Sequence, residues 1–129
     1  MSNEAAIRAA IERYAAAWKG SDMAAIVACY HDDFTLHYFG RNALSGDHIG
    51  KAASLKTLAE FSKRTTRRLV SIVATLAGPE RGAVIAREAL GPNAVGIERV
   101  LVYTVKGGLL HECWVYDQDQ GLIAELVGM

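Results

Sequence analysis

Glu88, Glu112 and Asp117 are carboxylates in the last third of the chain that could do chemistry, with Arg99 between them in sequence. Burial pushes a carboxylate toward its neutral form and a nearby guanidinium holds it charged, so an acid poised between the two can move a proton at neutral pH. Tyr14, Tyr38, Tyr103 and Tyr116 add hydroxyls of the type that stabilise a carbonyl or enolate in a dry site, and Trp114 is suited to stacking on a flat ligand. Each residue also has a plainer use. Glu88 or Glu112 can pair with Arg99 as a structural bridge or face a subunit interface. Aromatics at strand spacing also build cores, and Asp117 can cap the terminal segment.

The other polar residues carry weaker signals. His31, His37 and His48 form no HxH or HExxH pattern, so no metal site is expected. The glycines of GRNALSGDHIG (40–50) do not match a phosphate-binding loop, and that stretch reads as a connection at a pocket mouth. Lys63, Arg64, Arg67 and Arg68 straddle the end of a predicted helix, where positive charge is favourable in itself. They could also draw in an anionic substrate.

These side chains need a sheet to hold them. VGIERVLVYTVKGGLLHECWVYD (95–117) reads as two long antiparallel strands joined at Gly107-Gly108. Alternation puts Arg99, Leu101, Tyr103 and Val105 on one face of the first strand. On the second, Leu110, Glu112, Trp114 and Tyr116 oppose Leu109, His111, Cys113 and Val115. Asp117 then lies opposite Trp114 unless a bulge intervenes. Both faces are largely apolar, which calls for two covers: the chain's own helices and, on the outer face, a second copy.

Upstream, Ile7, Ile11, Tyr14 and Trp18 mark one face of a helix over 3–19, with Ser2 or Asn3 as cap and Gly20 as stop. Asp22 caps a shorter helix ending at His31-Asp32-Asp33. Phe34–Phe39 alternates as a short strand with Phe34, Leu36 and Tyr38 on one side. Lys51–Lys63 is a third helix carrying Leu55, Leu58, Ala59 and Ser62 on one face. Strands follow over Leu69–Ala77 and Ala83–Leu90, and Gly121–Gly128 forms a short helix or strap on the sheet. Helices first and a bent antiparallel sheet afterwards make a single α+β domain over 1–129.

Length and composition agree with this. The 129 residues suit one core, hydrophobic residues make up 51% and charged ones 22%. Fourteen basic residues balance fourteen acidic ones, so nothing pulls the chain toward nucleic acid or an anionic membrane. Cys29 and Cys113 read as buried free thiols. With no basic segment leading an apolar core at the N-terminus and no membrane-length apolar run, a cytoplasmic location is expected.

IERYAAAWKGSDMAAIVACYHDDF, then GRNALSGDHIGKAAS, then VYTVKGGLLHECWVYDQDQGLIAELVG resemble, in this order, the nuclear transport factor 2-like superfamily and within it the SnoaL-like polyketide cyclases and ketosteroid-isomerase relatives. The resemblance implies a cone-shaped curved antiparallel sheet with three N-terminal helices on its concave face, a cystatin-like roll. It implies a pocket lined by Glu88, Arg99, Leu101, Tyr103, Glu112, Trp114 and Tyr116, with Tyr14 and Tyr38 above and Leu55 and Leu58 from the third helix. Tyr14 matches the oxyanion donor of the steroid isomerases. Their base position holds Tyr38 and their second donor position Leu101, so steroid isomerisation by that route is not implied. The arginine between two aspartates of the limonene-epoxide hydrolases falls on Glu88-Ala89-Leu90 and near Val115 or Tyr116, and is missing there.

The combined expectation is a cofactor-independent enzyme, doing isomerisation, aldol-type cyclisation or dehydration on a small apolar or aromatic carbonyl compound. Glu112 or Asp117 would be its acid/base, Tyr14 and Tyr38 its donors. A non-catalytic ligand-binding or dimerisation module is the alternative reading, and an epoxide hydrolase the third.

Overall fold

A computed structural model describes residues 3–129. Along the chain come α1 (Glu4–Lys19), α2 (Met23–Ala28), β1 (Tyr30–Tyr38), β2 (Gly46–Ile49), α3 (Lys51–Thr65), β3 (Arg68–Ala77), β4 (Gly82–Leu90), β5 (Val95–Lys106), β6 (Leu109–Asp117) and α4 (Gln120–Val127). The strands form one curved sheet in the order β2-β1-β6-β5-β4-β3, with helices over its concave face. This is an α+β fold of the cystatin-like type.

Local chemistry accounts for most of the elements. Helix α1 buries Ile7, Ala10, Ile11 and Tyr14, the stripe that its three-four spacing defines. The Asn3 side chain makes no cap bond, and the Ser2 cap lies outside the described residues. Asp22 Oδ1 accepts from Ala25 N at 3.1 Å and starts α2. Gly107 and Gly108 have φ of 59° and 78°, the paired positive values of a two-residue turn that twists with its strands. Helix α1 crosses β4 at Gly82, where a Cβ would stand 2.6 Å from Ile11 Cγ1. Only a bare backbone allows that approach.

Four expectations are corrected. The sheet is not wholly antiparallel, because β1 runs parallel to β6, with His37 beside Trp114 and Tyr38 beside Val115. Strand β1 begins at Tyr30, since Tyr30 is buried against the sheet while Asp32 and Asp33 bend out to solvent. The 40–50 connection contains β2, whose four residues pair with Thr35–Tyr38 and are too few to show a period.

The fourth correction decides the site. In the β5–β6 ladder Thr104 faces Glu112 but Val105 faces Leu110, so His111 is an extra, unmatched residue. This bulge reverses the phase of the strand. Leu110 points inward, and beyond the bulge Cys113 and Val115 do so in place of Glu112, Trp114 and Tyr116.

Candidate functional site

A cavity of about 760 Å³ opens between α1, α2, α3 and the adjoining ends of β3 and β4. Trp18, Met23, Ile26, Val27, Leu55, Leu58 and Leu69 give it apolar walls, and Tyr14, Tyr30, Ser62, Arg67 and Glu88 are among its polar groups. The helix α3 explains the lining. It turns Ser54, Thr57, Phe61 and Thr65 to the core, where the Ser54 hydroxyl bonds to the carbonyls of Phe34 and His48. The Leu55, Leu58, Ala59 and Ser62 face is thereby left for the cavity.

Glu88 is the acid on that wall, with its side chain sealed from bulk solvent. Strand β4 points Val84, Ala86, Glu88 and Leu90 inward. Arg99 of β5 donates from Nη1 to Glu88 Oε2 at 2.8 Å and from Nε to Asp117 Oδ1. Burial alone would lower the Arg99 pKa, but Asp117 and Glu88 outweigh it and hold the guanidinium charged. Its Cζ also stands 4.3 Å from the Phe61 ring centre. Glu88 Oε1 has no hydrogen-bond partner among the described residues, and Arg67 Nε stands 3.8 Å from it.

The opposite wall carries hydroxyls. Tyr30 donates to the Tyr14 hydroxyl at 3.4 Å, and Tyr103 meets the Tyr14 ring edge-on at 5.4 Å. Burial raises the pKa of all three. Tyr14 rises less, because the hydroxyls of Tyr103 and Tyr30 and the charge of Arg67 support its phenolate. The phenols are therefore neutral at pH 7, and Tyr14 is the better donor.

The residues singled out from the sequence divide into three groups. Tyr14, Leu55, Leu58 and Glu88 line the cavity. Arg99, Leu101, Tyr103, Tyr38 and Asp117 are on the inner side of the sheet but behind the cavity wall. Tyr38 is buried with its hydroxyl unpartnered, and burial above all pushes its pKa up. Asp117 turns inward to Arg99, as the bulge requires, instead of capping the last helix, a task that falls to Asp119.

Glu112, Trp114 and Tyr116 are the third group and are corrected as pocket residues: they lie on the outer face. Glu112 Oε2 is 2.9 Å from His37 Nε2, Asp47 Oδ1 is 2.8 Å from His37 Nδ1, and Trp114 stacks on the His37 ring at 5.0 Å. Glu112 is thus part of an external ion-pair cluster. The carboxylate–arginine–carboxylate set sought at other positions exists in chemical type as Glu88–Arg99–Asp117, from three different strands.

Tyr30 and Arg67 are among the cavity residues that the sequence reading does not place there. Tyr30 was assigned to a helix end, and Arg67 was grouped with the helix-terminal cations. Its place between Thr66, at φ 46°, and the start of β3 turns it back over Trp18 and Phe61, at 5.9 Å and 5.4 Å. Among the described residues no group of three His, Cys, Asp or Glu side chains is placed to hold a metal ion, and no helix is long and apolar enough to cross a membrane.

The SnoaL-like domain family matches residues 11–125. No curated protein matches the chain by sequence. Among solved structures, Bal32a from a soil-derived mobile gene cassette superposes with a TM-score of 0.83 at 19% identity, covering 98% of this chain and 99% of that one. An NTF2-like protein from Burkholderia xenovorans gives 0.71 at 20%, covering 99% and 98%. TerC, co-crystallised with polyporic acid, gives 0.74 at 18%, covering 92% and 95%. At these identities the likeness concerns the fold.

Proposed function

The chain belongs to the SnoaL-like domain family, and from that premise we propose that it is a cofactor-independent enzyme moving protons on a small, flat, carbonyl-bearing organic substrate. The observation that carries this is the free Oε1 of Glu88. One oxygen of that buried carboxylate is pinned by Arg99, and the other, on a residue that lines the cavity, is without a hydrogen bond among the described residues. A group so fixed has its reacting atom already oriented.

In the proposed step Glu88 Oε1 takes a proton from the carbon beside the substrate carbonyl. The C–H electron pair moves to the carbonyl oxygen, and the enolate accepts hydrogen bonds from Tyr14 or the Arg67 guanidinium. Returning the proton to another carbon isomerises the substrate; attack of the enolate on a second carbonyl cyclises it. Both routes are redox-neutral, so the chain's own side chains suffice. The base assigned from the structure is Glu88 in place of Glu112, with Asp117 and Arg99 as positioning residues. TerC, of the same fold, was co-crystallised with polyporic acid, which fits the reading of a pocket for an organic molecule.

Exchange of α-hydrogens for deuterium in a panel of small cyclic ketones and diketones, followed by proton NMR, tests the reading. The protein should catalyse exchange, and Glu88→Gln should abolish it while Glu112→Gln leaves it intact. Equal exchange by Glu88→Gln would remove Glu88 as the base. The second reading, a binding module, is favoured by the two arginines that flank Glu88. It predicts tight binding with no exchange at all.

The assembly we propose is a homodimer through the outer sheet face, in a reducing cytoplasm. Two apolar rows support the dimer: Tyr116, Val100 and Ile85 in one, Trp114, Val102, Ala83 and Leu76 in the other. Tyr116 and Leu76 are 47% and 51% exposed, too much apolar surface for a face meant for water. The two free buried thiols fit the compartment.

A further inference from the structure

We infer that the cavity selects an organic anion: a flat, largely apolar molecule bearing a carboxylate, sulfonate or ionised enol, with Arg67 as its anchor. This rests on the reading of the cavity as a small-molecule site and adds the substrate's charge. Among the described residues the wall carries three cations, Lys19, Arg67 and Arg68, against one acid, Glu88. That acid shares the single charge of Arg99 with Asp117; Arg99 and Arg67 together balance the two carboxylates, so Lys19 and Arg68 leave the site net positive.

Arg67 is the group with unmet donors. Among the described residues its one ion pair, Nε to Glu88 Oε1, is 3.8 Å long and beyond hydrogen-bonding range, and its guanidinium donates no hydrogen bond. Its side chain is 21% exposed, far enough from bulk water for a charge-assisted bond to count. The guanidinium lies over two rings, Trp18 and Phe61, which favour this placement. A planar fork so placed, with its donors unmet and an apolar cavity before it, is built to receive a planar anion. Trp18 also lines the cavity, so a ring joined to that anion lies against the indole. Arg68 and Lys19 are exposed, form no ion pair among the described residues, and give the mouth the same sign. An approaching anion is thus attracted before it enters.

The test compares two fluorescent probes that differ by one sulfonate group, anilinonaphthalene sulfonate and its uncharged parent phenylnaphthylamine. Both are titrated into the wild-type protein, Arg67→Met, Arg68→Ser and the cavity-filling Leu58→Trp. The sulfonate should bind about 10-fold to 100-fold more tightly than the parent, the range for a hydrogen bond to a charged group. Arg67→Met should erase that preference, Arg68→Ser should reduce it, and Leu58→Trp should expel both probes. Equal affinity of the two probes in the wild type, with both expelled by Leu58→Trp, overturns the anion preference and leaves the cavity reading standing. Retention of both probes by Leu58→Trp shows that they bind elsewhere and overturns both readings. If Arg67→Met melts too early to titrate, Arg68→Ser and added salt decide: a charge preference that neither weakens overturns the inference.

Discussion

Arg99 reaches from β5 to Glu88 on β4, Nη1 to Oε2 at 2.8 Å, and both side chains are closed to solvent. The same guanidinium holds Asp117 at the end of β6, so one cation ties three neighbouring strands beneath the cavity. Removing it strands two buried carboxylates. Arg99→Met should therefore cost about 3–5 kcal/mol, read from urea denaturation at neutral pH. The deficit should shrink in acid, where the orphaned carboxylates can protonate. A loss below 1 kcal/mol, on the scale of an exposed pair, would show that the ladder stands without its central cation.

Glu88→Gln should behave differently. The amide keeps the shape and can still accept from Arg99, so the fold should survive, while carbon-acid exchange should fall by at least about 100-fold, the usual scale for loss of a general base. Circular dichroism and the exchange assay, run on one preparation, separate the two effects.

The outer face should respond to pH through His37. Burial works to lower its pKa, but the bonds to Asp47 and Glu112 and their charges prevail and raise it. A cation whose folded pKa is raised stabilises fully below its unfolded value of about 6.5, and that contribution is lost as pH rises through the folded value. The urea midpoints of wild type and His37→Asn should thus differ more near pH 6 than near pH 9. A gap that widens with pH would contradict the cluster's geometry.

At Gly82 an added Cβ meets Ile11 Cγ1 at 2.6 Å and Ile7 Cγ2 at 2.8 Å. Gly82→Ala should push α1 off β4 and cost about 1–3 kcal/mol. Gly96, where a Cβ meets nothing, is the matched control. Thermal melting should lower the midpoint of the first variant well below that of Gly96→Ala.

Neither thiol should react in the folded protein. Cys113 is buried and burial pushes its pKa up to about 12, while Cys29 is buried with Sγ bonded to the Ala25 carbonyl at 3.2 Å. A thiol-disulfide colour reagent should titrate them only after denaturant is added. Rapid reaction of one thiol in buffer would mark a local opening.

Much of this architecture was legible in the chain because it rests on period and turn chemistry. The α1 stripe follows from its three-four spacing, the Gly107-Gly108 turn from its two glycines, and the inward set of β5 from alternation. The site was legible only up to the His111 bulge. Alternation is a local rule, and one unmatched residue inverts it for the rest of β6, sending Glu112 and Trp114 out and Asp117 in. No residue type announces that break, because it is set by how β6 must pair with β5 and β1 together. Arg67 was missed for a related reason: a helix-end cation and a cavity cation look alike until Thr66 turns the chain. The parallel β1–β6 pairing was equally silent, since its partners lie far apart in sequence.

That pairing sets the order in which the molecule can be completed. The hairpins of β3 to β6 join neighbours and can close as soon as they leave the ribosome. Strand β1 must wait with one edge open until β6, near the end of synthesis, arrives beside it. Until then Phe34, Leu36 and Tyr38 have a helix above them but no sheet to finish. A chain stopped short of β6 would therefore keep the first half of its cavity wall and lose the frame that holds it, and the cell would meet it as an exposed strand edge.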